Sequence, residues 1–162
     1  MAFVVGVESP LSDEMRSLIG ELNTVLLALS PPEHCYHMSV EEMAAPDTTV
    51  FVARDPESGA ALGCGALRRH GGGIGEVKRM YTREAARGLG VGGEILGRVE
   101  VLAREAGLRE LVLETGDRHH AAWRVYERGG FSRCPPVLDY PDTPFSVFYR
   151  KALAEAGETL RA

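Results

Sequence analysis

The chain contains 162 residues, of which 44% are hydrophobic and 25% charged, and its formal net charge at pH 7 is -5. A chain of this length folds most simply as one domain with its own core, and its moderate charge argues against disorder. No apolar run approaches the roughly 20 residues of a membrane-spanning helix, and the first residues lack the pattern of a signal peptide. We therefore expect one domain over residues 1–162 that has no membrane partner.

Charge is distributed unevenly along the chain. Residues 1–60 contain two arginines and ten acidic residues, a balance of -8, whereas the remainder contains 16 basic and 13 acidic residues, a balance of +3. A uniformly basic nucleic-acid-binding protein would not show this distribution, so no nucleic-acid partner is expected. The acidic part is compatible with a cationic ligand, although an acidic surface in contact with solvent is the simpler explanation.

The three cysteines, Cys35, Cys64 and Cys134, are scattered and lack C-x-x-C spacing. An odd and scattered set favours free thiols in a reducing compartment over a disulfide framework or a zinc site. His34 and His37 lie three residues apart, but neither an H-E-x-x-H motif nor paired cysteines accompany them. The sequence therefore predicts a cytoplasmic protein without a metal site.

The first half of the chain predicts a strand, two helices and an antiparallel hairpin. Ser39 followed by Glu42 forms the capping-box pattern at the start of the second, short helix. Gly63 and Gly65, inside the return strand of the hairpin, indicate a bulge or a close backbone approach. The predicted elements are a strand at 2–8, helices at 10–29 and 39–43, and strands at 48–54 and 60–69.

The second half alternates strands and helices. The predicted elements are a strand at 75–83, a helix at 90–106, a strand at 108–115, a helix at 120–128 and a strand at 145–150. The order predicts an α/β fold with a mixed, mostly antiparallel sheet and one parallel strand–helix–strand crossover. The core is expected to span about 1–151, and 152–162 is expected to form a short exposed tail.

The most informative stretch is the glycine loop Arg87-Gly88-Leu89-Gly90-Val91-Gly92, which joins a predicted strand to a predicted helix. No Ser, Thr, Asp or Asn in it can cap the helix, and the first acid inside the helix is Glu94. The exposed backbone N–H groups and the positive end of the helix dipole favour an anion such as a phosphate. Four glycines in residues 88–93 would destabilise a helix start that had only a structural role.

The same glycines also match G-x-G-x-x-G, the dinucleotide-binding fingerprint, and Glu114 stands near the position of its ribose-binding acid. This pattern leaves a nicotinamide- or flavin-dependent oxidoreductase as an alternative. A Rossmann fold needs several alternating βα units, however, and here three predicted strands form a meander before the loop.

Three segments together resemble the GNAT superfamily of N-acetyltransferases. They are the strand Glu76–Thr82, the glycine loop, which matches the family's R/Q-x-x-G-x-G/A, and the stretch Ala122–Phe131, which matches A-x-x-x-Y-E-x-x-G-F. The resemblance covers roughly residues 1–150. It implies a GNAT-like fold with helices on both faces of the sheet, acetyl-CoA as donor, and a primary amine of a small molecule or peptide as acceptor. Family members are often homodimers, so a homodimer is a further expectation.

The resemblance also implies the coenzyme A site. The pyrophosphate would lie on the backbone amides of the glycine loop, and the pantetheine arm would pair with the preceding strand, where a backbone N–H would also polarise the thioester carbonyl. Two positions depart from the family pattern: His119 replaces a frequent Asn, and Leu89 replaces a frequent Arg. The expected coenzyme A-binding residues are Met80, Tyr81, Thr82, Arg87, Gly88, Leu89, Gly90, Val91, Gly92 and His119.

For the chemistry, the resemblance implies that Tyr126 is the general acid that protonates the leaving thiolate, although an aromatic residue there could also serve packing alone. Glu76 is the first candidate for the base that deprotonates the amine. Two other interpretations of Glu76 are equally open: an exposed strand carboxylate, or a pair with Arg68 or Lys78. His34, His37 and His70 are alternative bases because their intrinsic pKa is suitable.

The segment after the first helix is expected to recognise the acceptor, because the family usually walls its acceptor site there. Its candidate residues are Glu33, His34, Tyr36 and His37. A non-catalytic acyl-CoA sensor on the same fold is the second alternative function.

Overall fold

The computed structural model describes residues 3–153 of the chain. Its strands are β1 (Val4–Val7), β2 (Thr48–Arg54), β3 (Ala61–Arg69), β4 (Ile74–Thr82), β5 (Glu110–Gly116), β6 (Ser132–Cys134) and β7 (Ser146–Ala152). Its α-helices are α1 (Asp13–Leu29), α2 (Val40–Met43), α3 (Val91–Glu105) and α4 (His120–Arg128). Short 3₁₀ turns lie at Pro32–His34, Gly71–Gly73 and Glu84–Ala86.

The seven strands form one mixed sheet in the order β1-β2-β3-β4-β5-β7-β6. The β4–β5 pair is parallel and is connected through α3, whereas the other neighbouring pairs are antiparallel. The mixed α/β fold with one parallel crossover is therefore confirmed. A parallel pair needs a long connection, which explains why α3 lies between these two strands.

Helices cover both faces of the sheet, as the resemblance implied. Alternation along β2 separates the two cores: Val50 and Val52 pack with α1, whereas Phe51 and Ala53 pack with α3. We call these the α1 face and the α3 face. Each face therefore presents its own wall to any ligand that lies at an opening in the sheet.

The most consequential irregularity is a bulge between β3 and β4. Cys64 pairs with Tyr81 and Ala66 with Lys78, so that two residues, Arg79 and Met80, lie opposite Gly65. Arg79 has a φ of 56°, a left-handed conformation that is rare for a residue with a side chain. The expectation of a bulge or close approach at the two β3 glycines is thus confirmed.

Strands β4 and β5 part after a short ladder. Their pairing runs only from Ile74–Glu110 to Glu76–Val112. β4 continues for six residues, Val77–Thr82, without β5 as a neighbour. An unpaired strand edge offers backbone donors and acceptors to an extended ligand, so the divergence opens a place for one.

Most predicted boundaries lie within three residues of those observed. Helix α1 begins at Asp13 rather than residue 10 because the Ser12 hydroxyl accepts a hydrogen bond from the Met15 amide and caps it. The capping box at Ser39 is confirmed.

Two predictions at the C-terminal end needed correction. Strand β6 was not predicted, since three residues are too few to show alternation. Residue 152, assigned to the tail, ends β7, and Leu153 is buried. The rest of the predicted tail lies outside the described residues. Within residues 3–153, no helix is long and apolar enough to cross a membrane.

A Gly63→Ala substitution is expected to destabilise the fold by about 1–3 kcal/mol, the usual cost of overpacking. A Cβ there would lie 2.5 Å from the backbone oxygen of Tyr81 and 3.0 Å from Val91 Cγ1. Urea unfolding measures the effect. The matched control is Gly20→Ala in α1, where a Cβ meets nothing within 4 Å, and which is expected to stabilise the helix slightly. Equal stability changes in both variants would contradict the packing argument.

Candidate functional site

A cleft of about 880 Å³ opens where β4 and β5 part. Its walls come from the end of α1, the following segment 30–37, the unpaired half of β4, the start of α3, the end of β5 and helix α4. The segments predicted separately for the donor and for the acceptor therefore line one continuous cavity. A volume of this size is typical of a site for a cofactor-sized ligand.

The glycine loop forms one end of the cleft. Gly88 and Gly90 have φ values of 82° and 86°, in the left-handed region that glycine adopts at low cost. Gly90 is the N-cap of α3 and makes no side-chain capping hydrogen bond. The first N–H groups of a 15-residue helix are therefore left without a side-chain acceptor at the mouth of the cleft. This arrangement suits an anion, as the sequence predicted.

Most of the predicted coenzyme A-binding residues line this cleft. Leu89 is the exception, because its side chain is exposed and does not contribute to the wall. His119 is the N-cap of α4, and its Nε2 is buried without a hydrogen-bond partner. The lining residues among those predicted are Met80, Tyr81, Thr82, Arg87, Gly88, Gly90, Val91, Gly92 and His119.

Tyr126 lies on α4 in the cleft wall and is only 6% exposed. Its ring packs between those of Phe131 and Tyr149, with centroids 6.1 and 5.9 Å away. Burial, and then the negative charge of Glu114, raise the pKa of the phenol above its usual value. The hydroxyl therefore stays protonated over the physiological range and can act as a hydrogen-bond donor.

Glu76 is buried on β4 but is absent from the cleft wall. Its two carboxylate oxygens are both engaged: one accepts from the Tyr140 hydroxyl at 2.5 Å, and the other lies 2.9 Å from His70 Nε2. The Lys78 ammonium lies 3.6 Å away. The Glu76 carboxylate therefore holds the loop before β7 against the centre of the sheet through Tyr140, and it does not face the cavity.

Glu114 is the carboxylate that sequence reasoning did not assign to the chemistry. It lies near the end of β5, in the cleft wall, with one oxygen accepting from the Ser146 hydroxyl at 2.7 Å. Burial raises its pKa, and the charge of Glu76 adds to the shift, while Ser146 and Lys78 oppose it. A carboxylate whose pKa is raised is a better proton acceptor than an exposed one. The only available signal was its position at the end of the strand after the crossover.

The predicted acceptor residues separate into two groups. His34, Tyr36 and His37 line the cleft, whereas Glu33 is exposed and does not. The His34 ring stacks on Phe145 at 4.6 Å, and Tyr36 contacts Tyr140 edge to face at 5.4 Å. Tyr140 and Phe145, which sequence reasoning missed, therefore support this wall from the loop between β6 and β7.

The charge of the cleft differs from that of the acidic segment 1–60. None of the ten acids of this segment lines the cavity. Several pair with arginines on the surface, as Glu8 and Glu14 do with Arg54 and Glu21 does with Arg83. The cleft wall contains six Lys or Arg residues and two Glu residues. The acidic segment therefore gives no support to capture of a cationic ligand. Within residues 3–153, no group of His, Cys, Asp and Glu side chains could hold a metal ion.

Comparison with known proteins decides the family. The model of the acetyltransferase (GNAT) family matches residues 15–131, which include the glycine loop, Glu114 and Tyr126. The chain belongs to the GNAT acetyltransferase family. It is 41% identical over 147 residues to an "IAA acetyltransferase" of Azospirillum brasilense, covering 90% of this chain and 95% of that protein. Membership makes the protein an acyltransferase.

Solved structures share this GNAT fold. A protein assigned as an acyl-CoA N-acyltransferase of Klebsiella pneumoniae superposes with a TM-score of 0.81 at 30% identity, covering 94% of this chain and 98% of that chain. A Bacillus subtilis acetyltransferase solved in complex with CoA superposes with a TM-score of 0.68 at 15% identity, covering 94% and 100%. The single parallel pair in the sheet also argues against a Rossmann oxidoreductase, which needs several βα units.

The Glu114→Gln variant is expected to be more stable than the wild type at pH 7. The pKa of Glu114 is higher in the folded protein than in the unfolded chain, so the unfolded chain loses the carboxyl proton at a lower pH. The wild type therefore loses stability as the pH rises from the unfolded-state pKa to the folded-state pKa. The difference between the two proteins should therefore shrink below the ordinary pKa of 4.5. Urea unfolding at pH 4 and pH 7 measures it.

The matched control is Glu110→Gln on the same strand. Glu110 pairs with the exposed Arg150 at 2.7 Å, so its loss should cost about 0–1 kcal/mol at pH 7. A Glu114→Gln variant that is less stable than the wild type at pH 7 would contradict a buried charge at this position.

Proposed function

We propose that the protein transfers the acetyl group of acetyl-CoA to a primary amine of a small molecule or peptide. The observation that carries the proposal is that the uncapped N-terminus of α3, the unpaired half of β4 and Tyr126 all line one cleft. The CoA complex of the structurally similar Bacillus subtilis protein supports the choice of donor.

The residues of the cleft fit coenzyme A. The backbone amides of Arg87–Gly92 would hold the pyrophosphate, and the arginine side chain would add a positive charge beside it. The pantetheine arm contains amides, which can pair with the free edge of β4 from Val77 to Thr82. His119 offers its unpartnered Nε2 to the same arm, in place of the asparagine that is frequent in the family.

Glu114 is the base that this geometry favours. The amine must lose a proton to attack the thioester carbonyl, since a free amine of pKa about 10.4 is almost wholly protonated at pH 7. Glu114 lies in the wall with a raised pKa, whereas both oxygens of Glu76 are already hydrogen-bonded outside it. We therefore assign proton removal to Glu114, directly or through water, and assign to Glu76 the positioning of Tyr140 and Lys78.

Tyr126 acts on the leaving group. When the carbon–sulfur bond breaks, the sulfur takes the electron pair and becomes a thiolate with a pKa of about 8.5. The buried phenol, whose pKa is raised, donates a hydrogen bond to this sulfur. The nitrogen gives one proton to Glu114 before it attacks and loses a second proton when the amide forms. One of these two protons ends on the thiol, and the other passes to solvent. A fixed donor in a water-poor cleft stabilises the developing charge more than water does.

Two further expectations stay predictions. They are a homodimer, which is frequent in the family, and a reducing cytoplasm, which would suit the three free cysteines. A non-catalytic acyl-CoA sensor would keep the donor site, so only turnover separates it from the proposed enzyme.

Gly90→Ala is expected to weaken acetyl-CoA binding by about tenfold in isothermal titration. An alanine at a φ of 86° costs roughly 1–2 kcal/mol, and relief of that strain would rotate the amides that face the pyrophosphate. The matched control is Gly107→Ala, whose φ is 75° and which follows α3 at its other end, outside the cleft. It should lose stability but keep its affinity. Wild-type protein that does not bind acetyl-CoA at about 100 μM would overturn the proposed donor.

Tyr126→Phe and Glu114→Gln are each expected to lower kcat by about 100-fold, the usual contribution of general acid or base catalysis, with little change in acetyl-CoA affinity. The assay follows release of free coenzyme A thiol with a responsive amine. Glu114→Gln should also remove the inflection in the pH–rate profile that protonation of the raised-pKa carboxylate causes, and the remaining rate should follow the neutral fraction of the amine.

The control for Tyr126 is Tyr149→Phe. Tyr149 is also buried, but its hydroxyl donates to Glu127 outside the cleft. An unchanged kcat in Tyr126→Phe would show that this phenol is not the donor. Binding of acetyl-CoA without turnover across a broad amine panel would favour the sensor.

A further inference from the structure

Arg79 is a buried arginine that the proposed chemistry does not use. It lies at the bulge in β4, has a left-handed φ of 56°, and is only 7% exposed. Its side chain is directed to the α1 face, where one guanidinium nitrogen donates to Asn23 Oδ1 on α1. It also forms part of the cleft wall. The bulge thus places a positive charge at the acceptor end of the cavity.

The charge of Arg79 has no counter-ion in the part of the chain that the structure describes. No carboxylate lies within ion-pair distance of it, and its Nε is buried without any hydrogen-bond partner. Other arginines differ: Arg54 pairs with two glutamates, and Arg83 with one. Burial lowers the pKa of Arg79, because removing a charged guanidinium from water is energetically unfavourable. An uncompensated buried charge is strongly unfavourable unless a ligand supplies its partner.

A second unsatisfied donor lies in the same region. His37 also lines the cleft, and its Nε2 is buried without a partner. Its pKa is lowered by burial and by the charges of Arg79 and Lys78, so the ring is neutral at pH 7. A neutral imidazole can donate one N–H to an anion without adding a charge. Arg79 and His37 thus place two unpartnered nitrogens in one wall of the cleft, and both suit an anionic oxygen of the acceptor.

The position of Arg79 separates this anion from the pyrophosphate of the donor. Asn23 belongs to α1, whereas the glycine loop opens onto α3. The wall beside Arg79 on the α1 face is apolar. Its lining residues from α1 are Leu22, Val25, Leu26 and Leu29.

We infer that Arg79 binds a carboxylate of the acceptor, which is therefore an amino acid with an apolar side chain. This inference rests on the proposed function and narrows its acceptor. The carboxylate pairs with the guanidinium and accepts from His37, the apolar side chain packs on α1, and the amine is left toward Glu114. A carboxylate paired with arginine makes short, charge-assisted hydrogen bonds, which would offset the cost of burying Arg79.

The test compares three matched sets of amines with the wild-type enzyme. They are leucine, phenylalanine and methionine; the carboxamides of these amino acids; and the corresponding amines without a carboxyl group. The expected result is a kcat/KM for the amino acids at least 100-fold above that for the carboxamides. Carboxamides have the less basic amine, so reactivity alone would favour them. Preference for carboxamides or simple amines, or turnover of none of the three sets, would overturn the inference.

Variants of Arg79 test whether this residue causes the preference for amino acids over carboxamides. Arg79→Gln should raise KM for the amino acids and remove most of their advantage over the carboxamides, and Arg79→Lys should restore part of it. The matched control is Arg83→Gln, which removes an arginine paired with Glu21 outside the cleft wall and should keep the preference. If Arg79→Gln does not fold, the wild-type comparison still decides the acceptor class.

Titration of acetyl-CoA separates the two proposals. Acetyl-CoA binding together with turnover of simple amines alone would overturn the amino-acid acceptor and leave the acetyltransferase proposal standing. Failure to bind acetyl-CoA would overturn the acetyltransferase proposal itself.

Discussion

The early end of the parallel ladder between β4 and β5 is the constraint on which the rest of the site depends. Pairing stops at Glu76 and Val112. Beyond that point β4 stays paired with β3, interrupted by the bulge at Arg79 and Met80, and β5 stays paired with β7. A continuous sheet would have buried the edge of β4 against β5. Because the strands part, the sheet itself contains a cleft, and side chains from both of its faces reach one cavity.

In the proposed reaction, the two faces of the sheet bind different parts of the substrates. On the α3 face, backbone N–H groups at an uncapped helix start provide a site for phosphate without using a side-chain charge. On the α1 face, Arg79 Nε and His37 Nε2 have no hydrogen-bond partner among residues 3–153. Between them, Glu114 and Tyr126 lie close enough for the charge of one to raise the pKa of the other. The arrangement explains how one cleft can hold two substrates of different polarity.

Packing is the reason why the proposed mechanism gives Glu76 a positioning role instead of the role of base. The family resemblance suggested a base, yet the Glu76 carboxylate contacts His70, six residues earlier, and Tyr140 in the distant loop before β7. No periodicity or spacing in the sequence predicts that Tyr140, 64 residues away, contacts the same carboxylate. Arg79 is a similar case. It is an ordinary strand residue in the sequence, but in the structure it lies at the bulge with its side chain buried, and no counter-ion contacts it within residues 3–153.

Local patterns in the sequence were sufficient for the glycine loop, the capping box at Ser39, the helices and all strands except β6, because each depends on residues close together in the chain. The glycine loop and the segment around Tyr126 were also sufficient to predict the family. The tertiary structure alone decided that Glu114 rather than Glu76 faces the cleft, that the acids of residues 1–60 lie elsewhere, and that Arg79 is buried without a counter-ion among residues 3–153. The physical reason is that burial and charge pairing depend on contacts between distant segments, and a single sequence does not record these contacts.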